Sequence, residues 1–224
     1  MKHWSKLLVG AALMVPAVSS MAASMMSDQP MGAVDVYATS EKLNVPAVPF
    51  DQSKLGYGVK GWVDFGMPFV HFEYQAASPK DDATATEAKI KQLRLGGGAA
   101  APVADGVLVL GKVEYAKIDL GFNGCSCDLK GPGIHAGAVF MPMPAVHFLA
   151  TIGYLKLNGD ATSGPGDVKG LEYNVGGGYN FTKELGVFLD YRLFNGKGDI
   201  ANLNPDTAKL SDIRFGASFN FGGK

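Results

Sequence analysis

The sequence predicts an all-β protein: a closed antiparallel transmembrane β-barrel of about ten strands, with eight as the alternative. Two observations carry the prediction: period-two alternation over unusually long segments, and a regular succession of short turns and longer loops. Alternation is clearest from Leu171 to Phe194. Leu171, Tyr173, Val175, Gly177, Tyr179 and Phe181 share one face, and Glu172, Asn174, Gly176, Gly178 and Asn180 share the other. After Thr182-Lys183-Glu184, Leu185, Val187, Leu189, Tyr191 and Leu193 alternate with Gly186, Phe188, Asp190, Arg192 and Phe194. A soluble sheet is usually built from strands of about five or six residues. A tilted strand crossing a bilayer needs about 9–11, the length seen in this hairpin.

The chain has 224 residues, enough for one domain of ordinary size. Its N-terminus carries Lys2 and Lys6, an apolar run from Leu7 to Val18, and small residues at Ser19, Ser20, Ala22 and Ala23. That layout is expected of a secretory signal peptide over residues 1–22, with cleavage after Ala22 or Ala23. The run is too short for the roughly 20 residues of a membrane-spanning helix. Without Lys2 and Lys6 the 20 basic residues become 18 against 21 acidic ones, a net charge of −3. Nothing in that balance favours nucleic acid as a partner.

Residues 23–31 form a short mature segment, and the barrel is expected over 32–221, followed by a tail at 222–224. The first strand candidate is 32–39, then a loop over 40–53 containing Pro46 and Pro49. Leu55, Tyr57, Val59, Gly61, Val63 and Phe65 alternate with Gly56, Gly58, Lys60, Trp62 and Asp64 up to a tight turn at Gly66-Met67-Pro68. Val70, Phe72 and Tyr74 then oppose His71, Glu73 and Gln75. A loop at 76–86 leads to a strand over 88–101, and Pro102 to Gly106 turns the chain into the strand that carries Val113 and Tyr115. A loop at 121–130 holds both cysteines. The hairpin 134–141 and 145–157 follows, then a loop at 158–168, the Leu171–Phe194 hairpin, a loop at 195–208 and a last strand over 209–221. Tyr74, Tyr115, Tyr154 and Tyr191 occupy corresponding places on four second strands, all on the apolar face; Tyr37 falls on the other parity. Short turns at one end and longer loops at the other are what membrane barrels show.

Alternation alone fits a soluble barrel with an apolar cavity as well. Three features favour lipid outside. The polar face is rich in glycine (Gly56, Gly58, Gly96, Gly98, Gly176, Gly178 and Gly216), which relieves crowding in a narrow interior. Its charges are of both signs: Lys60, Asp64, Glu73, Arg94, Lys112, Glu114, Glu172, Asp190, Arg192, Asp212 and Arg214. Aromatic residues on the apolar face gather near strand ends, as interfacial girdles do.

The last strand, Arg214-Phe215-Gly216-Ala217-Ser218-Phe219-Asn220-Phe221, resembles the C-terminal signal of outer-membrane proteins: Arg214, Gly216, Phe219 and Phe221 fill its polar, glycine, hydrophobic and aromatic places. With the tyrosine-bearing hairpins, the chain resembles the small OmpA/OmpX-like outer-membrane barrels over about residues 32–221. The resemblance implies export to the bacterial outer membrane, contact with its lipids, and reading of the last strand by the barrel-assembly machinery. Two departures stand out. The chain ends Gly222-Gly223-Lys224 beyond the aromatic, and such barrels usually have eight strands.

Candidate chemistry is sparse, and neither enzyme nor cofactor is expected. His71 and His147 fall near the short-turn end, and His135 near the outer end without a neighbour in sequence to complete a site. The loop acids form no pair that a protease would need. Cys125 and Cys127 could form a disulfide in an oxidising compartment, remain thiols, or offer two metal ligands. The inward charges read either as a salt-bridged plug or as a narrow ion path, since charges removed from bulk water must pair or hold water. A structural or surface-interaction role is therefore expected, with a small-solute channel second and a lipid-modifying enzyme third; the loops name no ligand.

Overall fold

A computed structural model describes residues 31–45, 48–50, 55–79, 88–122, 125–161, 164–199 and 208–222. Eleven strands are described: β1 (Met31–Val45), β2 (Val48–Phe50), β3 (Leu55–Asp64), β4 (Pro68–Ala77), β5 (Ala88–Ala104), β6 (Val107–Phe122), β7 (Cys125–Met143), β8 (Val146–Ala161), β9 (Gly164–Asn180), β10 (Leu185–Asp199) and β11 (Ala208–Phe221). Each long strand pairs antiparallel with the next, and β11 returns to β1, from Gly32↔Phe221 to Asn44↔Lys209. The barrel wall thus has ten strands, not eight. The three-residue β2 folds back on the outer end of β1.

Closure follows from the alternation. One face of every strand needs a partner other than water, and joining β1 to β11 leaves neither strand as an open edge. Val113, Ile134, Val175 and Phe215 face outward and are about half exposed (61%, 61%, 51% and 50%). Glu114, Glu172, Asp190 and Arg214, at the opposite parity of their strands, are buried inside.

Two of the expected loops, 121–130 and 158–168, are largely strand, and strand enters the start of a third, 195–208. β6 runs through Phe122 and β7 starts at Cys125, so both cysteines lie on β7 and not in a loop over 121–130. β8 continues to Ala161, β9 starts at Gly164, and β10 reaches Asp199. β1 likewise extends to Val45, beyond the expected end at 39. The reason is a reversal of polarity. Near the outer end the inward residues are apolar (Ile118, Leu129, Leu155, Leu157) while Lys130, Lys156, Asn158 and Lys169 face out. About ten residues of a strand tilted by about 40° climb roughly 25 Å, the height of an apolar membrane band. β5 to β10, at 15 to 19 residues, therefore continue past it, through headgroup level and beyond, with an apolar core of their own inside.

A continuous ring of ladder hydrogen bonds resists detergent until heated. Unboiled protein is expected to migrate at a different apparent mass from boiled protein in SDS gels; identical mobility would contradict the closed wall.

Candidate functional site

The interior is built in three layers. At the short-turn end Phe69, Ala100, Leu108 and Val139 are buried together, with Trp62, Leu110, Met141 and Leu149 packed against them. At the outer end Leu43, Ile90, Ile118, Leu129, Leu155, Leu157, Val168, Phe194 and Leu210 belong to a second buried apolar cluster. Between the two lies the charge network.

Ladder register sets the network's geometry. Pairing of β10 with β11 places Asp190 across from Arg214 and Arg192 across from Asp212. Arg214 Nε donates to Asp190, and Arg192 Nε donates to Asp212 Oδ2 at 3.0 Å. Both guanidiniums also reach across the lumen to Glu73 Oε1 on β4, at 2.7 Å and 3.1 Å. Lys60 Nζ on β3 closes this half against Asp190 Oδ2 at 2.7 Å and lies 3.9 Å from the centre of the Phe188 ring.

Arg94 organises the other half. Its Nη1 donates to Glu114 Oε1 at 2.7 Å, and Nη1 and Nη2 donate to the two oxygens of Glu172 at 2.8 Å and 2.7 Å. That fork is the bidentate geometry in which arginine binds carboxylate most strongly. Lys112 Nζ takes the remaining Glu114 oxygen at 2.7 Å. Arg94 is 2% exposed, Glu114 5% and Glu172 4%, so these charges meet almost no bulk water.

Of the predicted lumen charges, Lys60, Glu73, Arg94, Lys112, Glu114, Glu172, Asp190, Arg192, Asp212 and Arg214 take part in these ion pairs. Asp64 Oδ1 accepts the Gly66 amide at 2.6 Å, tying the turn at the short-turn end. Among the residues of the terminal signal, Arg214 lies inside, Gly216 packs on Tyr37, and Phe219 and Phe221 face out.

Sequence reasoning missed a polar set contributed by β1. Glu41 is fully buried and accepts from Gln75 Nε2 at 2.9 Å and Gln92 Nε2 at 2.7 Å. Asp35 accepts from Ser218 Oγ and lies 3.8 Å from Lys60 Nζ. Tyr37, set aside for its parity, points inward against Phe188 and donates to Gln75 Oε1 at 3.3 Å. The off-phase tyrosine was itself the signal that β1 turns a polar face inward.

His135 is not near the outer end. It lies midway along β7, 3% exposed, with Nε2 3.2 Å from Glu114 Oε1. Extension of β7 past the expected loop accounts for the shift in its apparent position. His71 Nε2 lies 3.6 Å from Glu114 Oε2. Glu114, His135 and Glu172 offer ligand atoms within 4.8 Å of one another. They do not suit a cation: Arg94 already bonds both carboxylates and Lys112 takes the free oxygen of Glu114. Cys127 is buried in the outer apolar cluster; the side chain of Cys125, its expected disulfide partner, lies outside the described residues. The expected signal peptide also lies outside them.

An apolar outer band around a packed and charged interior defines a membrane-spanning barrel of the outer-membrane type. The chain belongs to the family described as outer membrane protein beta-barrel domain, which matches residues 10–221, and its place is the outer membrane. No curated protein matches the chain. Among solved structures it is similar to the outer membrane protease OmpT from Escherichia coli, at 10% identity and a TM-score of 0.52, covering 87% of this chain and 97% of that one. It is also similar to Ail, the attachment invasion locus protein of Yersinia pestis, at 10% identity and a TM-score of 0.42, covering 85% and 98%. The P. putida toluene transporter TodX matches at 9% identity and a TM-score of 0.38, covering 90% and 92%. These are likenesses of fold.

Proposed function

We propose that this protein is a sealed, non-enzymatic outer-membrane barrel with a structural and surface-interacting role, its lumen filled rather than conducting. The observation that carries this reading is the layering of the interior: a buried ion-pair network enclosed between two apolar clusters. An ion crossing such a lumen would have to separate paired charges and then pass side chains that offer it no ligand, at the desolvation cost that buried charge carries. The outer ends of β5 to β10, above the apolar band, form the rim that a partner would meet. Export through a cleaved leader, and assembly by machinery that reads Arg214, Gly216, Phe219 and Phe221, complete the proposal.

Liposomes test it. Vesicles carrying the refolded protein are expected to retain potassium and small sugars as well as empty vesicles do. Release that scales with protein content would favour the channel.

A further inference from the structure

The outer wall carries a basic patch that the sealed lumen does not use. Lys156 on β8 lies directly across from Lys169 on β9, and Lys169 directly across from Lys197 on β10. All three side chains are exposed. Next to them Lys117 on β6 faces Lys130 on β7. Like charges directly opposite in a sheet repel. Lys117 is relieved by Asp119 on its own strand, at 2.8 Å. Among the described residues Lys156, Lys169 and Lys197 form no ion pair. Asp167, the exposed acid nearest along β9, lies two residues farther from the membrane than Lys169, with Asn158 across from it on β8. Three adjacent cations in one ladder row are a placement that only an anion makes favourable.

Height identifies the anion. Lys156 is ten residues from the short-turn end of β8 at Val146, Lys169 eleven from Asn180, and Lys197 twelve from Leu185. At a rise of about 3.3 Å per residue and a tilt of about 40° they sit roughly 25–30 Å above that end, where an apolar band of about 25 Å gives way to headgroups. The outward residues below agree. Tyr154 lies two residues beneath Lys156, and Leu171 and Tyr173 lie beneath Lys169, all about 40% exposed. The row therefore faces lipid headgroups and not open water.

We infer that Lys156, Lys169 and Lys197 bind a phosphorylated glycolipid headgroup of the outer leaflet, with the acyl chains lying along the apolar wall formed by Ile152, Tyr173 and Val175. Spacing favours a ligand with more than one phosphate, because neighbouring strands stand about 4.8 Å apart and the row spans two such gaps. This inference is independent of the sealed-lumen reading, since the three lysines lie outside the barrel.

Native mass spectrometry of the full refolded protein in neutral detergent tests it, with diphosphoryl lipid A as probe and phosphatidylcholine and monophosphoryl lipid A as comparisons. The intact protein is expected to retain diphosphoryl lipid A in preference to both, with retention falling as salt is raised. A lysine near an anionic surface contributes about fivefold, so K156Q/K169Q/K197Q together should weaken retention on the order of 100-fold. The control K42Q/K89Q/K91Q, on β1 and β5, should leave it unchanged. Heat-dependent mobility confirms that both variants are folded. Equal retention of phosphatidylcholine, an unchanged β8–β10 variant, or equal loss in the control would overturn the assignment. So would displacement of the lipid by millimolar inorganic phosphate, which would mark a free-anion site.

Discussion

Replacing Arg94 with alanine is expected to lower the unfolding free energy by about 3–5 kcal/mol, the cost of leaving a buried charge without its partner. Arg94 is the sharpest point in the network because its carboxylates share no second arginine. Glu172 receives both of its guanidinium bonds from Arg94. Arg192 and Arg214, by contrast, both reach Glu73 and both lie within ion-pair distance of Asp212. Loss of Arg192 leaves Arg214 in place, so Arg192→Ala should cost less than Arg94→Ala. Adding Glu172→Gln to Arg94→Ala removes one stranded charge and should restore part of the loss. Urea unfolding in lipid vesicles measures all three. Equal, small effects would mean that water reaches these groups freely and that the lumen is wetter than its apolar layers imply.

Val175→Arg is expected to impair folding into bilayers by about 2–4 kcal/mol, because it puts a charge at mid-bilayer depth on the lipid face. Val175 lies five residues from the short-turn end of β9 and is 51% exposed on the outer wall. Leu171→Arg, four residues higher on the same face and next to Lys169, should cost only about 0–1 kcal/mol, as charges near the interface do. The contrast reads out depth: equal penalties would displace the membrane boundary from the level of Tyr154 and Lys156. Folded fractions on unheated gels, followed against urea, give the comparison.

Much of this fold was legible because one rule, alternation with apolar residues outward, holds unbroken through the membrane band. Leu171 to Phe181 and Leu185 to Leu193 obey it, and the register of Asp190 with Arg214 and of Arg192 with Asp212 follows from pairing the last two strands. Above the band the rule inverts. There Lys117 and Asp119 point outward and Ile118 and Leu120 inward, so scanning for one outward apolar face ends the strand too early. Pro132, just past the expected loop, pairs with Tyr115 inside β7. The candidate site was visible as a list of charges and invisible as a geometry. Glu41 and Asp35 sit on the one strand whose alternation was weakest. The approach of His135 to Glu114 depends on the alignment of β6 with β7, which the misplaced loop concealed.

Single-channel recording across a planar bilayer tests the central claim, that the lumen is closed, most directly. Wild-type protein whose insertion is verified by its heat-dependent mobility is expected to leave the membrane current at the level of lipid alone, in low and high potassium chloride alike. Discrete current steps of reproducible size that grow with salt concentration would show a continuous aqueous path past Arg94, Arg192 and Arg214, and would contradict the sealed barrel.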